Sequence, residues 1–79
     1  MRNSTRVPTT ARTRAFGKRI RELRNKKKWS QEKLAEESGL HTTYISGIEC
    51  GKRNVGMENI VKLARALKVD AGKLFKGLR

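Results

Sequence analysis

Residues 42–50 read TTYISGIEC, and their side chains divide into two chemistries. Ile45 and Ile48 are apolar and about one helical turn apart. Thr42, Thr43, Ser46, Gly47 and Cys50 are small and uncharged. On a helix turning 100° per residue, the isoleucines centre one side with Tyr44 and Glu49 at its flanks, and the small residues lie opposite. The hydroxyls of Thr42, Thr43 and Ser46 both donate and accept hydrogen bonds, so this face can meet other polar groups at short range. A hydroxyl could also act as a nucleophile, but it needs an activating base. The chain has one histidine, His41, and one cysteine, Cys50, with no paired carboxylates near either. It has no metal-ligand spacing and no phosphate loop. The expectation is a binding surface, without enzymatic activity, cofactor or metal.

The charge says what such a surface would bind. Twenty Lys plus Arg against seven Asp plus Glu give a net charge of +13. The excess is lopsided: residues 1–28 carry a net +10 and residues 29–79 a net +3. A footprint of this kind suits a polyanion, namely DNA, RNA or an anionic membrane surface. Seventy-nine residues allow one small domain. A single cysteine excludes an internal disulfide framework and suits a reducing compartment. With no long apolar run and no h-region after the charged N-terminus, a cytoplasmic location without membrane insertion is expected.

The elements that would position the polar face are helical. Residues 1–11 are rich in Ser, Thr and Arg, offer little to bury, and predict a flexible basic arm. Residues 12–79 form the domain. Phe16, Ile20 and Leu23 repeat at i, i+4, i+7, predicting a first helix from Arg12 to Lys27. Ser30 is a good N-cap for a second helix from Gln31 to Ser38, with Trp29 and Leu34 placed as a hydrophobic staple. Gly39 supplies the left-handed residue that stops it. The third helix ends at Gly51. A fourth carries Ile60, Val61, Leu63, Ala64 and Leu67. Asp70 is a candidate cap for a short fifth helix holding Leu74 and Phe75. The fold class is all-α, a compact five-helix domain.

The second and third helices, joined at Gly39, have the pattern of a helix-turn-helix over about residues 31–50. Leu34 and Ala35 face inward, Ala35 leaves room for the third helix, Leu40 plugs the corner, and Ile45 and Ile48 pack back. The second helix of such a pair enters the major groove of DNA. Small hydroxyls let it come close to base edges, and a threonine methyl can pack on a thymine methyl. Gly47 costs helix stability, about 1 kcal/mol relative to alanine, which suggests close approach of something bulky.

The run WSQEKLAEESGLHTTYISGIECGKRN, residues 29–54, resembles the phage repressor and Cro-like (Xre-type) helix-turn-helix regulators, whose domain is of the lambda-repressor-like type. With its flanking helices the resemblance covers about residues 12–75. The segment TYISGIE followed by KRN is most similar to the small single-domain controller proteins of restriction–modification systems. The resemblance implies base reading by Thr42, Thr43, Tyr44 and Ser46, and phosphate binding by Gln31, Lys52, Arg53 and Asn54. It implies an ion pair between Arg24 and Glu49 that links the first helix to the third. Three positions depart from the family's usual pattern. Gly47 stands where relatives often carry a long base-reading side chain. His41 takes an N-cap position that Ser, Thr or Asp would fill better. Cys50 replaces a polar or basic residue.

Other basic residues (Arg19, Arg21, Lys26, Lys27, Lys28 and Lys33) read as a solvated face adding to phosphate neutralisation. Arg2, Arg6, Arg12 and Arg14 are placed to enter a minor groove or to make no contact. Domains of this type usually act as two-fold dimers on palindromic half-sites. Val69, Leu74, Phe75 and Leu78 are more apolar than so short a tail needs, and predict a symmetric interface, with closure of the monomer's own core as the competing use of Leu74 and Phe75. The reading is a homodimeric, sequence-specific regulator that occludes or recruits RNA polymerase at a palindromic operator, its own promoter among the candidates. An antitoxin whose main partner is a toxin protein is the alternative. A nonspecific or RNA-binding basic protein is a third class, opposed by the lack of exposed stacking aromatics.

Overall fold

The structure is a computed structural model, and it describes residues 9–78. Four α-helices follow in order: α1 (Ala11–Lys26), α2 (Gln31–Ser38), α3 (Thr42–Glu49) and α4 (Met57–Leu67), closed by a 3-10 helix (Ala71–Phe75). The all-helical expectation holds. Arg2 and Arg6 of the expected arm lie outside the described residues.

Helix α1 begins one residue earlier than its apolar stripe predicts, because Thr10 caps it. The Thr10 side chain accepts from the Thr13 backbone N–H, and the Thr13 hydroxyl accepts from the Thr10 N–H. Residue 11 therefore belongs to the domain, not to the arm. At its other end α1 stops at Lys26, and Lys28 adopts a left-handed conformation with φ 59°. The Trp29 N–H then reaches back to the Arg24 carbonyl.

Helix α2 has the predicted ends. The Ser30 side chain accepts from the Lys33 N–H, and Gly39 terminates the helix at φ 75°. That conformation costs a residue with a Cβ about 1–2 kcal/mol, which is why glycine suits the corner. Helix α3 ends at Glu49 with Cys50 as its cap, two residues short of the predicted Gly51. At its start the His41 imidazole accepts from the Thr43 N–H through Nδ1 at 3.1 Å, so this residue is a working cap. The predicted fifth helix is a 3-10 helix instead. Asp70 occupies its N-cap position but makes no side-chain cap bond, and the segment is too short to propagate α-helical bonding.

One core joins all five elements. Ile20, Leu34, Ile45, Ile48, Leu63, Leu67 and Leu74 are fully enclosed. Leu34 and Ala35 of α2 meet Ile45 and Ile48 of α3 within it, as the corner pattern requires. Trp29 and Leu40 are half-buried against the same cluster. Leu74, predicted for a dimer surface, is corrected: it is wholly inside the monomer, where it closes the core between α1 and α4. Val61 is carried by α4 as expected and is exposed. The tightest approach is between α1 and α3. A Cβ on Gly17 would sit 2.1 Å from the Ile48 carbonyl oxygen.

Candidate nucleic-acid interface

The orientation of α3 depends on a buried carboxylate. The Glu49 side chain is fully enclosed. Arg24 of α1 grips it with two parallel bonds, Nε to Oε2 at 2.7 Å and Nη2 to Oε1 at 2.8 Å. The remaining Arg24 nitrogen, Nη1, donates to the Trp29 carbonyl at 2.8 Å. One guanidinium thus ties α1, the α1–α2 connection and the end of α3 together in a planar fork that lysine cannot reproduce. Burial alone would push the Glu49 carboxyl up. The hydrogen bonds from Arg24 and Gln31, the Arg24 charge and Arg21 outweigh it and hold the pKa below the ordinary glutamate value. Arg24 is held above its own ordinary value, chiefly by its bond to Glu49. The ion pair expected from sequence is present in bidentate form.

Gln31 has a partner that the sequence reading did not assign. Its Nε2 donates to Glu49 Oε1 at 3.0 Å. One amide N–H is therefore committed inside the protein, and the other donor and the carbonyl oxygen remain for any outward contact. Arg21 lies 3.5 Å from the same carboxylate through Nε, with its side chain more than half exposed. Arg19 is mostly enclosed, and its Nε donates to the Lys73 carbonyl at 2.7 Å, fastening α1 to the closing turn. Lys33 pairs with Glu37 at 3.0 Å. Arg19 and Arg21, which read as part of a solvated face, thus link α1 to the closing turn and to α3. Neither contact shows in the residue pattern, because the partners, a carbonyl and a carboxylate, are brought near by the fold.

The outward face of α3 matches the helical-wheel expectation. Thr43 is exposed, and Thr42, Tyr44, Ser46 and Gly47 are half-exposed, while Ile45 and Ile48 are sealed beneath them. Lys52, Arg53 and Asn54 follow in an exposed loop at the C-terminal end of the helix. Arg53 folds back over α3. Its Cζ lies 5.4 Å from the centroid of the Tyr44 ring, within cation–π range. A Cβ on Gly47 would come within 3.1 Å of Arg53 Cγ and Nε. The chain's own Arg53 side chain lies against the open side of Gly47. Tyr44 is held in turn by Asn59 of α4, whose Nδ2 donates to the phenol oxygen at 3.0 Å. Asn59 had no role in the sequence reading, since its contact crosses from one helix to another.

Two of the remaining apolar tail residues, Phe75 and Leu78, border a shallow cleft. Val55, Ile60, Phe75 and Leu78 line it with Phe16. Phe75 is 40% exposed, and its ring stacks obliquely on Phe16 at 5.6 Å. Val69 and Leu78 are half-buried against the core. Among the described residues no cluster of His, Cys, Asp or Glu is placed to hold a metal ion, and no helix is long and apolar enough to cross a membrane.

A helix-turn-helix pair with a polar, closely approachable face on its second helix defines a DNA-binding regulator. The chain belongs to the helix-turn-helix family, of the Xre type, whose family model matches residues 20–74. Within that family it is similar to restriction–modification control proteins. It is 54% identical over 56 residues to the control protein C.BamHI of Bacillus amyloliquefaciens, covering 70% of this chain and 69% of that one. It is 47% identical over 55 residues to the control protein C.SmaI of Serratia marcescens, covering 70% and 66% of the two chains. The crystal structure of the restriction–modification controller protein C.AhdI from Aeromonas hydrophila superposes with a TM-score of 0.82 at 50% identity. That match covers 84% of this chain and all of the other. The chain is a helix-turn-helix transcription regulator of the controller type, and not an enzyme.

Proposed function

We propose that the protein acts as a homodimer on a two-fold symmetric operator, with one α3 in each of two successive major grooves. The observation that supports this most is the construction of α3. Its inner side is locked to α1 and α2 by Ile45, Ile48 and the Glu49 carboxylate, while Thr42, Thr43, Tyr44 and Ser46 are left facing outward. A helix held this firmly presents its short hydroxyls in a fixed register, which base-edge discrimination requires. Thr42, Thr43, Tyr44 and Ser46 are the base-reading groups. Lys52 and Asn54, at the end of α3, contact phosphates, and Gln31 does so with the amide groups left free by Glu49.

The second copy docks through the apolar side chains that the monomer leaves uncovered, namely Phe75, Met57 and Val61, together with the half-buried Leu78 and Val69. Such a dimer, bound over a promoter, occludes or recruits RNA polymerase in the cytoplasm, and the similarity to control proteins favours its own promoter as one target. The test compares two variants on a set of duplexes differing at single base pairs. Thr43→Ala should flatten the differences between duplexes. Lys52→Ala should weaken all of them alike and reduce the slope of log affinity against log salt by about one. The reverse pattern would show that these roles are misassigned.

A further inference from the structure

Three side chains and one missing side chain converge on the outward face of α3, and they are drawn from three segments of the chain. Arg53 comes from the loop after α3, Tyr44 and Gly47 from α3 itself, and Asn59 from α4. The Arg53 guanidinium rests over the Tyr44 ring at 5.4 Å. Its Cγ and Nε pass so close to Gly47 that a Cβ there would stand 3.1 Å away. The Tyr44 phenol that forms this shelf accepts from Asn59 Nδ2 at 3.0 Å. An exposed arginine ordinarily samples many rotamers, and a phosphate contact tolerates that, because the phosphate backbone is charged along its whole length. A guanidinium laid along a groove-facing helix with its stem seated on a glycine has a defined direction. That is the requirement for bidentate pairing with the O6 and N7 of one guanine.

We propose that Asn59 is a specificity-positioning residue: by holding Tyr44, it aims Arg53 along α3, so that Arg53 discriminates a base pair, not merely a phosphate. Gly47 belongs to the same device as the berth for the arginine stem. The face that looked short of a long reader at position 47 receives one from the neighbouring loop. Asn59 does not touch the nucleic acid in this account; it acts through the Tyr44 ring. The inference rests on the DNA-binding reading above and replaces the phosphate role expected for Arg53.

The test uses the full chain and the duplex that the wild-type protein itself enriches from random DNA. Affinity is measured for that duplex and for every single-base-pair variant of it, at several salt concentrations. Arg53→Ala should lose discrimination at one base pair of each half-site by roughly ten-fold or more. Tyr44→Phe and Asn59→Ala both remove the same hydrogen bond. Each should lower discrimination at that same base pair, about three- to ten-fold, and leave the salt slope unchanged. The double variant should be no worse than the more affected single. Gly47→Ala should show its loss at the same base pair while melting at a temperature no lower than wild type, since alanine favours the helix. Melting curves for Tyr44→Phe and Asn59→Ala establish that both are folded. Equal weakening on every duplex, a salt slope lowered by about one in Arg53→Ala, or additive effects in the double variant would each overturn the proposal. If the wild-type chain enriches no sequence at all, the DNA reading itself fails, and the two failures are told apart.

Discussion

Replacing Glu49 by glutamine removes one charge and almost no volume, so its effect isolates the electrostatic lock behind α3. In the wild type, Oε2 receives Arg24 Nε, and Oε1 receives Arg24 Nη2 and Gln31 Nε2. Glutamine keeps one oxygen. Wherever its NH2 is placed, two donors then face each other and the Arg24 charge loses its counterion. Arg24 is only 12% exposed and the carboxylate is fully enclosed, so solvent compensates poorly. Removing one partner of such a pair costs about 3–5 kcal/mol. A domain of this length has a total stability of roughly 4–12 kcal/mol, so Glu49→Gln should remove a large share of it. Urea unfolding followed by circular dichroism reads the effect. With a slope of about 1.5 kcal/mol per molar, the midpoint should fall by roughly 2 M or more. Glu36→Gln is the control, its side chain being 74% exposed, and should shift stability by no more than about 0.5 kcal/mol.

The pH dependence carries the same sign. The folded-state pKa of Glu49 lies below its unfolded value, so its stabilisation is complete above the ordinary glutamate value of about 4.3. It is lost as pH falls through the lowered folded-state pKa. The wild type and Glu49→Gln should therefore converge in strong acid and stand apart at neutral pH. A midpoint shift no larger than that of Glu36→Gln, or a gap between the two proteins that does not narrow in acid, would refute the reasoning.

Gly17→Ala should destabilise by about 1–3 kcal/mol in thermal melting, despite alanine's better helix propensity, because the added Cβ would lie 2.1 Å from the Ile48 carbonyl. Its DNA affinity should fall further than its stability predicts, since relieving the clash moves α3. Lys68→Gly should raise stability by roughly 0.5–1 kcal/mol in urea, because Lys68 ends α4 in a left-handed conformation at φ 58° that glycine adopts without strain. Thr10→Ala should cost about 0.5–2 kcal/mol by unmaking the cap of α1. If truncating Thr10 has no effect, α1 starts inside the stripe that begins at Phe16.

The α2–α3 corner was legible in the sequence because its signals are local. Ser30, Gly39, Leu34, Ala35, Ile45 and Ile48 each state a turn, a cap or an inward face through their type and spacing. The bidentate Arg24–Glu49 pair came instead from family resemblance, and the structure supplies its reason in a fully buried carboxylate. The misses share a physical cause. Helix α1 starts at a threonine-only capping box, which lacks the acidic residue that usually marks one. Lys28 and Lys68 stop their helices where glycine would have announced the end. Arg19, Gln31 and Asn59 find partners 54, 18 and 15 residues away in the chain, and no periodicity reports a long side chain's destination. Leu74 read as surplus because the closing 3-10 helix that brings it into the core leaves no repeating pattern.

Sequencing the duplexes that the full chain retains from a random pool at physiological salt tests the central claim most directly. Two copies of α3 on a two-fold axis should enrich an inverted repeat, with half-site centres about 34 Å, or one helical turn, apart. Enrichment of no sequence, or of a single unrepeated site bound by one copy of the chain, would contradict it.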